Sequence, residues 1–80
     1  MITAKELTDK YTEMLLEDIE LRTKLEDAMD AFYDLVTKEH IYEMHLRYDV
    51  ETAKKIAFLF RKFGYQVIEY KHGKLEVNLY

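Results

Sequence analysis

The chain has 80 residues and a net charge of −4, with two glycines and no cysteine or proline. This length predicts a single small domain, residues 1–80, and the lack of cysteine excludes disulfides and thiolate metal sites as its supports. The acidic balance disfavours general binding to nucleic acids, which requires clustered cations. No apolar run approaches the roughly 20 residues of a membrane helix, and the first residues begin no signal peptide, so we expect a cytoplasmic protein.

Residues 1–39 predict one long amphipathic helix. Thr3 and Glu6 form a capping box at its start, and no helix breaker follows before residue 39. Apolar side chains then recur at alternating steps of four and three, namely Leu7, Tyr11, Met14, Leu21, Leu25, Ala28, Phe32 and Leu35. This heptad spacing predicts a seam that packs against another surface. A second capping box at Thr23 leaves open a split of the helix at that point.

Residues 40–80 predict a strand, a helix and a hairpin. Alternating apolar residues between Ile41 and Tyr48 are typical of a half-buried strand. Asp49 is a suitable cap for a helix that runs to Phe63, and Gly64 stands where a left-handed C-terminal cap belongs. The remaining residues predict two strands joined by a tight turn.

The hairpin register is predicted by requiring that the apolar residues of both strands lie on one face of the sheet. A two-residue turn at His72–Gly73 meets this requirement. The predicted pairs are Tyr70–Leu75, Ile68–Val77 and Gln66–Leu79, with Glu69 opposite Glu76 and Tyr65 opposite Tyr80 on the other face.

These elements predict an α+β fold. A long N-terminal helix precedes a β-α-β-β unit, and helices cover one face of a three-stranded mixed sheet. The crossover helix makes the first two strands parallel. The regular alternation of the last strand favours its position at the centre of the sheet.

The N-terminal helix is longer than the sheet that it would cover. Thirty-six residues of helix span about 54 Å, whereas strands of six to eight residues span about 20–27 Å. The uncovered part of the seam predicts a homo-oligomer, with a dimer favoured. The expected interface comprises Leu7, Tyr11, Met14, Leu15, Asp18, Leu21, Arg22 and Leu25. A different protein bound to the same stripe, and a bent helix that folds back on its own chain, are the alternatives.

Asp18 and Arg22 form a polar interruption near the middle of this seam. They are either a local pair one helical turn apart or a device that fixes register between two antiparallel helices.

The second helix carries an aromatic residue outside its apolar arc. Phe58 falls among the basic residues Lys54, Lys55, Arg61 and Lys62. It either packs beneath the N-terminal helix or a neighbouring subunit, or it anchors a partner protein or a nucleotide base. Tyr65 and Tyr80 extend this candidate binding surface as exposed aromatic residues.

The strand at residues 41–48 contains potential metal ligands. Glu43 and His45 share one face of the strand, whereas His40 points away from it. Because these three side chains do not converge, we interpret the face as solvated and predict no metal, cofactor or catalytic residue. The alternative is that the acidic pair Glu69 and Glu76, on the same face near His45, holds a divalent cation or acts in acid–base chemistry.

The segment Phe60-Arg61-Lys62-Phe63-Gly64-Tyr65-Gln66-Val67, followed by a short hairpin, resembles small uncharacterised early or accessory proteins of tailed bacteriophages. The resemblance covers the last forty residues. It implies a viral protein that acts in the host cytoplasm by binding a host protein, as an inhibitor does.

The sequence thus predicts a non-enzymatic protein-interaction module that self-associates through its N-terminal helix. The alternative is an oligomer that holds a nucleotide or cyclic nucleotide between its subunits.

Overall fold

The computed structural model describes residues 1–80 and shows three α-helices and one three-stranded sheet. In chain order the elements are α1 (Ala4–Glu17), α2 (Ile19–Glu39), β1 (Glu43–Arg47), α3 (Val50–Lys62), β2 (Gln66–Glu69) and β3 (Lys74–Asn78). A short 3-10 turn, Lys71–Gly73, joins β2 to β3. The α+β class is confirmed, with one helix more than predicted.

Local capping signals set three of the helix ends. The side chains of Thr3 and Asp49 each accept a hydrogen bond, at 3.1 Å, from the amide three residues later, and so begin α1 and α3. After α3, Gly64 adopts a φ of +95°, and the amides of Gly64 and Tyr65 donate to carbonyls in the last turn. These bonds satisfy carbonyls that the helix leaves free. The predicted caps at all three positions are confirmed.

The predicted single N-terminal helix is wrong, because the chain bends at Asp18. This residue has an extended backbone (φ −75°, ψ 106°). Its amide donates to the carbonyl of Leu15 at 3.2 Å, and its carboxylate accepts from the amide of Leu21 at 3.2 Å. Asp18 therefore closes α1 and caps α2. The split considered at Thr23 does not occur, since that hydroxyl donates to the Ile19 carbonyl within α2.

The bend allows both N-terminal helices to pack on α3. Near its start, α1 contacts the second half of α3, where Asp9 meets Lys62. The first turn of α2 lies beside the first half of α3, around Lys55. The structure thus shows the bent helix that folds back, and most of the seam lies against the chain's own core.

The sheet has the strand order β1-β3-β2, and both pairings are antiparallel. The prediction of a mixed sheet is wrong, because β3 lies between the two strands that run parallel and keeps them from pairing. The central position of β3 agrees with its regular alternation.

The predicted hairpin register is wrong by one residue. The structure pairs Val67 with Val77 and Ile68 with Glu76, and the turn has three residues because the amide of Tyr70 donates to the carbonyl of Lys74 at 2.8 Å. This register turns Val67 towards the core and leaves Ile68 on the opposite face.

A long-range contact holds the turn in this register. The amide of Tyr48 donates to the carbonyl of Gly73 at 3.0 Å, which attaches the hairpin turn to the end of β1. His72 and Gly73 both have positive φ, at 63° and 76°.

The core lies between the helices and one face of the sheet. Its largest fully buried side chains are Phe32, Phe60, Ile56, Leu59, Leu75 and Val77. Alternate residues of β1 point away from this core and are exposed, so the second face of the sheet is open. None of the three helices combines the length and apolar character needed to cross a membrane.

Candidate functional site

The predicted oligomer interface is divided by the bend at Asp18. Leu15, Leu21 and Leu25 are buried in the core and are not available to a partner. Leu7 and Met14 remain exposed, by 57% and 56%. We call the side of α1 that carries Leu7 and Met14 the outer edge of α1. Only this edge keeps the uncovered apolar surface that the sequence predicted for the whole seam.

Asp18 and Arg22 do not form a local pair, which is one of the two arrangements that the sequence leaves open. The Asp18 carboxylate caps α2 through the amide of Leu21. Arg22 instead faces Glu26, with Nε 3.8 Å from Oε1 in an exposed pair one helical turn apart. Asp18 thus shapes the helix pair, and its carboxylate is engaged within its own chain.

A shallow apolar groove lies between α1 and α3. Its volume is about 300 Å³, and Leu7, Thr8, Tyr11 and Phe58 line it. The rings of Tyr11 and Phe58 meet edge to face, with centroids 4.9 Å apart and planes at 74°. The position of Phe58 outside the apolar arc of α3 is explained by this contact, in agreement with the interpretation that it packs beneath the N-terminal helix. We call these four residues the α1 groove.

The predicted basic patch is largely neutralised by the chain's own carboxylates. The ion pairs are Lys55–Glu51, Arg61–Glu69 and Lys62–Asp9, with N–O distances of 3.5, 2.8 and 2.6 Å. The hydrogen bond from Lys62 is the main cause that holds the pKa of Asp9 below its usual value. Arg61 also donates to the carbonyl of Val67 at 2.8 Å. Of the four predicted cations, Lys54 alone makes no ion pair.

Tyr65 and Tyr80 do not form the predicted pair at the open end of the hairpin. Tyr65 points into the core, where its ring lies 5.3 Å from that of Phe60 and 5.8 Å from that of Phe32. Tyr80 is exposed and lies 5.9 Å from the ring of Tyr42. In the observed register, which differs by one residue from the predicted one, Tyr65 and Tyr80 are no longer opposite each other.

The open face of the sheet brings together a cluster that the sequence predicted only in part. Glu43 and His45 share this face of β1, as expected, and Glu76 of β3 is the cross-strand partner of His45. One potential ligand atom from each of the three lies within 4.8 Å of the other two. Nε2 of His45 is 2.9 Å from Oε1 of Glu43. The predicted hairpin register sets Glu76 opposite Glu69, and the sequence contains no signal for the register of β1 against β3.

Two neighbouring polar side chains hold Glu76 in place. The Tyr70 hydroxyl donates to Oε1 at 3.1 Å, and the Asn78 amide donates to Oε2 at 3.0 Å. The Asn78 hydrogen bond is the main cause that lowers the pKa of Glu76, and the same Tyr70 contact raises the pKa of the tyrosine. Glu76 is therefore an ionised, oriented carboxylate at neutral pH.

Comparison with protein-family models, with curated proteins and with solved structures found no match to this chain.

Proposed function

We propose that this protein is a non-enzymatic interaction module that associates with a second copy of itself through the outer edge of α1. The observation that carries the proposal is the exposure of Leu7, which lines the α1 groove, and of Met14, two turns further along α1, although the rest of the apolar seam is covered. Exposed apolar side chains that border an apolar groove are typical of a docking surface.

The spacing of this edge suits a second copy. Leu7 and Met14 lie two turns apart on one side of α1, and Tyr11 lies near the midpoint between them. A two-fold axis near Tyr11 sets two α1 helices antiparallel, so that Leu7 of each chain faces Met14 of the other. Such a surface is self-complementary, which is what a symmetric dimer requires.

The expected strength of the association follows from the exposed area. Full burial of a leucine or methionine contributes about 1.5–3 kcal/mol, so covering the exposed half of each contributes about 1 kcal/mol. A symmetric dimer covers four such side chains and gains about 4 kcal/mol, before the cost of association is subtracted. Because association itself costs about 4 kcal/mol or more, these four side chains alone do not hold a dimer together, and the proposal requires the rest of the α1 groove to be covered as well. We expect a weak dimer that forms only at high protein concentration and dissociates on dilution.

Sedimentation velocity over a concentration series tests the proposal. Leu7→Gln removes one side chain from each chain of the dimer, which costs about 2 kcal/mol and weakens dimerisation roughly 30-fold. Tyr33→Gln is the matched control, because Tyr33 is also exposed but lies on α2. The proposal fails if Leu7→Gln dimerises as well as the unmodified protein, or if Tyr33→Gln is equally defective.

The alternative of a nucleotide held between subunits receives less support. Phosphate groups need free cations, and three of the four cations near Phe58 are already paired within the chain. We expect the melting temperature to stay constant across a panel of nucleotides, since a ligand that binds the folded state would raise it. Binding to a host protein, which the phage resemblance implies, stays a prediction.

A further inference from the structure

Glu43, His45 and Glu76 lie on the open face of the sheet, away from the α1 groove. Their side chains come from two neighbouring strands and offer one imidazole nitrogen and two carboxylates. From this arrangement we infer that the three residues form a binding site for one Zn²⁺ ion.

The backbone pairing brings the ligands together. Hydrogen bonds join Tyr42 to Leu79 and Tyr48 to Gly73 across the two strands. Because hydrogen-bonded and non-hydrogen-bonded pairs alternate in an antiparallel ladder, His45 and Glu76 form a non-hydrogen-bonded pair, in which side chains lie closest. Glu43 is two residues from His45 and projects from the same face. The backbone positions of all three ligand residues are therefore fixed by a regular sheet and not by a loop.

The ligand distances fit a small divalent cation. Bonds of about 2.0–2.2 Å in a tetrahedral site place ligand atoms about 3.4 Å apart. The three ligand atoms here already lie within 4.8 Å of one another, and Nε2 of His45 is 2.9 Å from Oε1 of Glu43. Small rotations of exposed side chains are enough to close the remaining difference.

Two neighbouring side chains hold the Glu76 carboxylate in an orientation suited to binding a metal ion. Tyr70 and Asn78 each donate to one oxygen of Glu76, which orients the carboxylate and leaves lone pairs on both oxygens for a metal. Outer hydrogen bonds of this kind are a regular feature of protein metal sites.

The ligand set and its surroundings favour Zn²⁺ with one open position. One imidazole and two carboxylates balance the charge of a divalent ion, and three protein ligands leave a fourth position for water. His45 also lines an open pocket of about 320 Å³ beside Tyr70, although neither Glu43 nor Glu76 borders it. Arg47 and Lys74 border the same pocket, and their positive charges weaken binding of the ion without occupying the ligand positions.

Isothermal titration of the metal-free protein with ZnCl₂ tests the site. We expect one ion to bind per chain, His45→Asn to abolish that binding and Glu76→Gln to weaken it at least tenfold. His72→Asn is the matched control, because it removes another exposed histidine while asparagine tolerates the positive φ at that position. Circular dichroism checks that each variant folds, which we expect since His45 is exposed on the sheet surface.

Two further readouts separate metal ligation from a general effect on the sheet. Cobalt substitution should give the intense visible absorption of a tetrahedral site, and this signal should be absent in the His45→Asn variant. Tyr70→Phe removes only the hydrogen bond to Glu76, and we expect it to weaken binding about tenfold without loss of stoichiometry. Absence of saturable Zn²⁺ binding, or an unchanged isotherm for His45→Asn, would overturn the inference.

Discussion

Gly73 occupies the point where the hairpin turn touches β1. A Cβ atom built at this position lies 1.8 Å from the carbonyl oxygen of Tyr48 and 2.9 Å from its carbonyl carbon. Both neighbours are backbone atoms, so no side-chain rotation relieves the overlap. Gly73→Ala therefore forces the turn away from β1 and breaks the hydrogen bond from the Tyr48 amide.

Gly64 provides a matched comparison for this substitution. Its φ is also positive, at +95°, but a Cβ atom there meets nothing within 4 Å. Gly64→Ala should carry only the conformational penalty of about 1–2 kcal/mol. Gly73→Ala carries the same penalty together with the steric overlap and the lost hydrogen bond, for a total of about 4 kcal/mol or more. A domain of this size has a free energy of unfolding of roughly 4–12 kcal/mol, so Gly73→Ala should remove much of it.

Urea denaturation monitored by circular dichroism measures both variants against the unmodified protein. We expect Gly64→Ala to lower the unfolding midpoint modestly and Gly73→Ala to lower it by at least twice as much, or to leave the protein unfolded in buffer. Equal midpoints for the two variants would refute the placement of the turn against β1.

Three further predictions concern the core, the bend and the response to acid. Phe60→Ala should cost about 3–5 kcal/mol, because the side chain is fully buried, whereas Phe63→Ala, half-exposed, should cost far less in the same denaturation assay. Asp18→Ala should cost about 1 kcal/mol through loss of the α2 cap and should reduce helical ellipticity. The pKa values of Asp9 and Asp49 are lowered from 3.8 by hydrogen bonds in the folded state. The two carboxylates therefore stabilise the folded state above pH 3.8, and this stabilisation is lost as the pH falls further. We expect the urea midpoint of unfolding to drop in more acidic buffer. The drop should be less steep in a variant with asparagine at both positions.

Features of the fold that depend on neighbouring residues were predictable from the sequence. The caps at Thr3, Asp49 and Gly64 are of this kind, because each is set by hydrogen bonds within a few residues. The bend at Asp18 also rests on local hydrogen bonds, to Leu15 and Leu21, and aspartate is a common helix cap. It was not predicted because the apolar spacing continues through residue 18, and the break is compensated by packing of α1 and α2 on α3, far away in the chain.

The errors on the sheet have the same physical origin. The hairpin register depends on the contact between Gly73 and Tyr48, and on the space that Tyr65 fills beside Phe32 and Phe60. The alternation of apolar residues within the hairpin contains no information about either of these two contacts.

Prediction of the open-face cluster requires both the register of the hairpin and the register of β1 against β3. The shared face of Glu43 and His45 followed from strand periodicity alone. Glu76 joins them only because β3 pairs with β1 in the observed register, and this pairing is not encoded in local spacing.

Sedimentation equilibrium at several hundred micromolar protein most directly tests the claim that the outer edge of α1 is a self-docking surface. We predict an average mass that rises with concentration from 9.7 kDa towards twice that value. The Leu7→Gln variant should stay near 9.7 kDa, with an unchanged melting temperature in dilute solution. A mass that remains at 9.7 kDa for the unmodified chain at every concentration would contradict it.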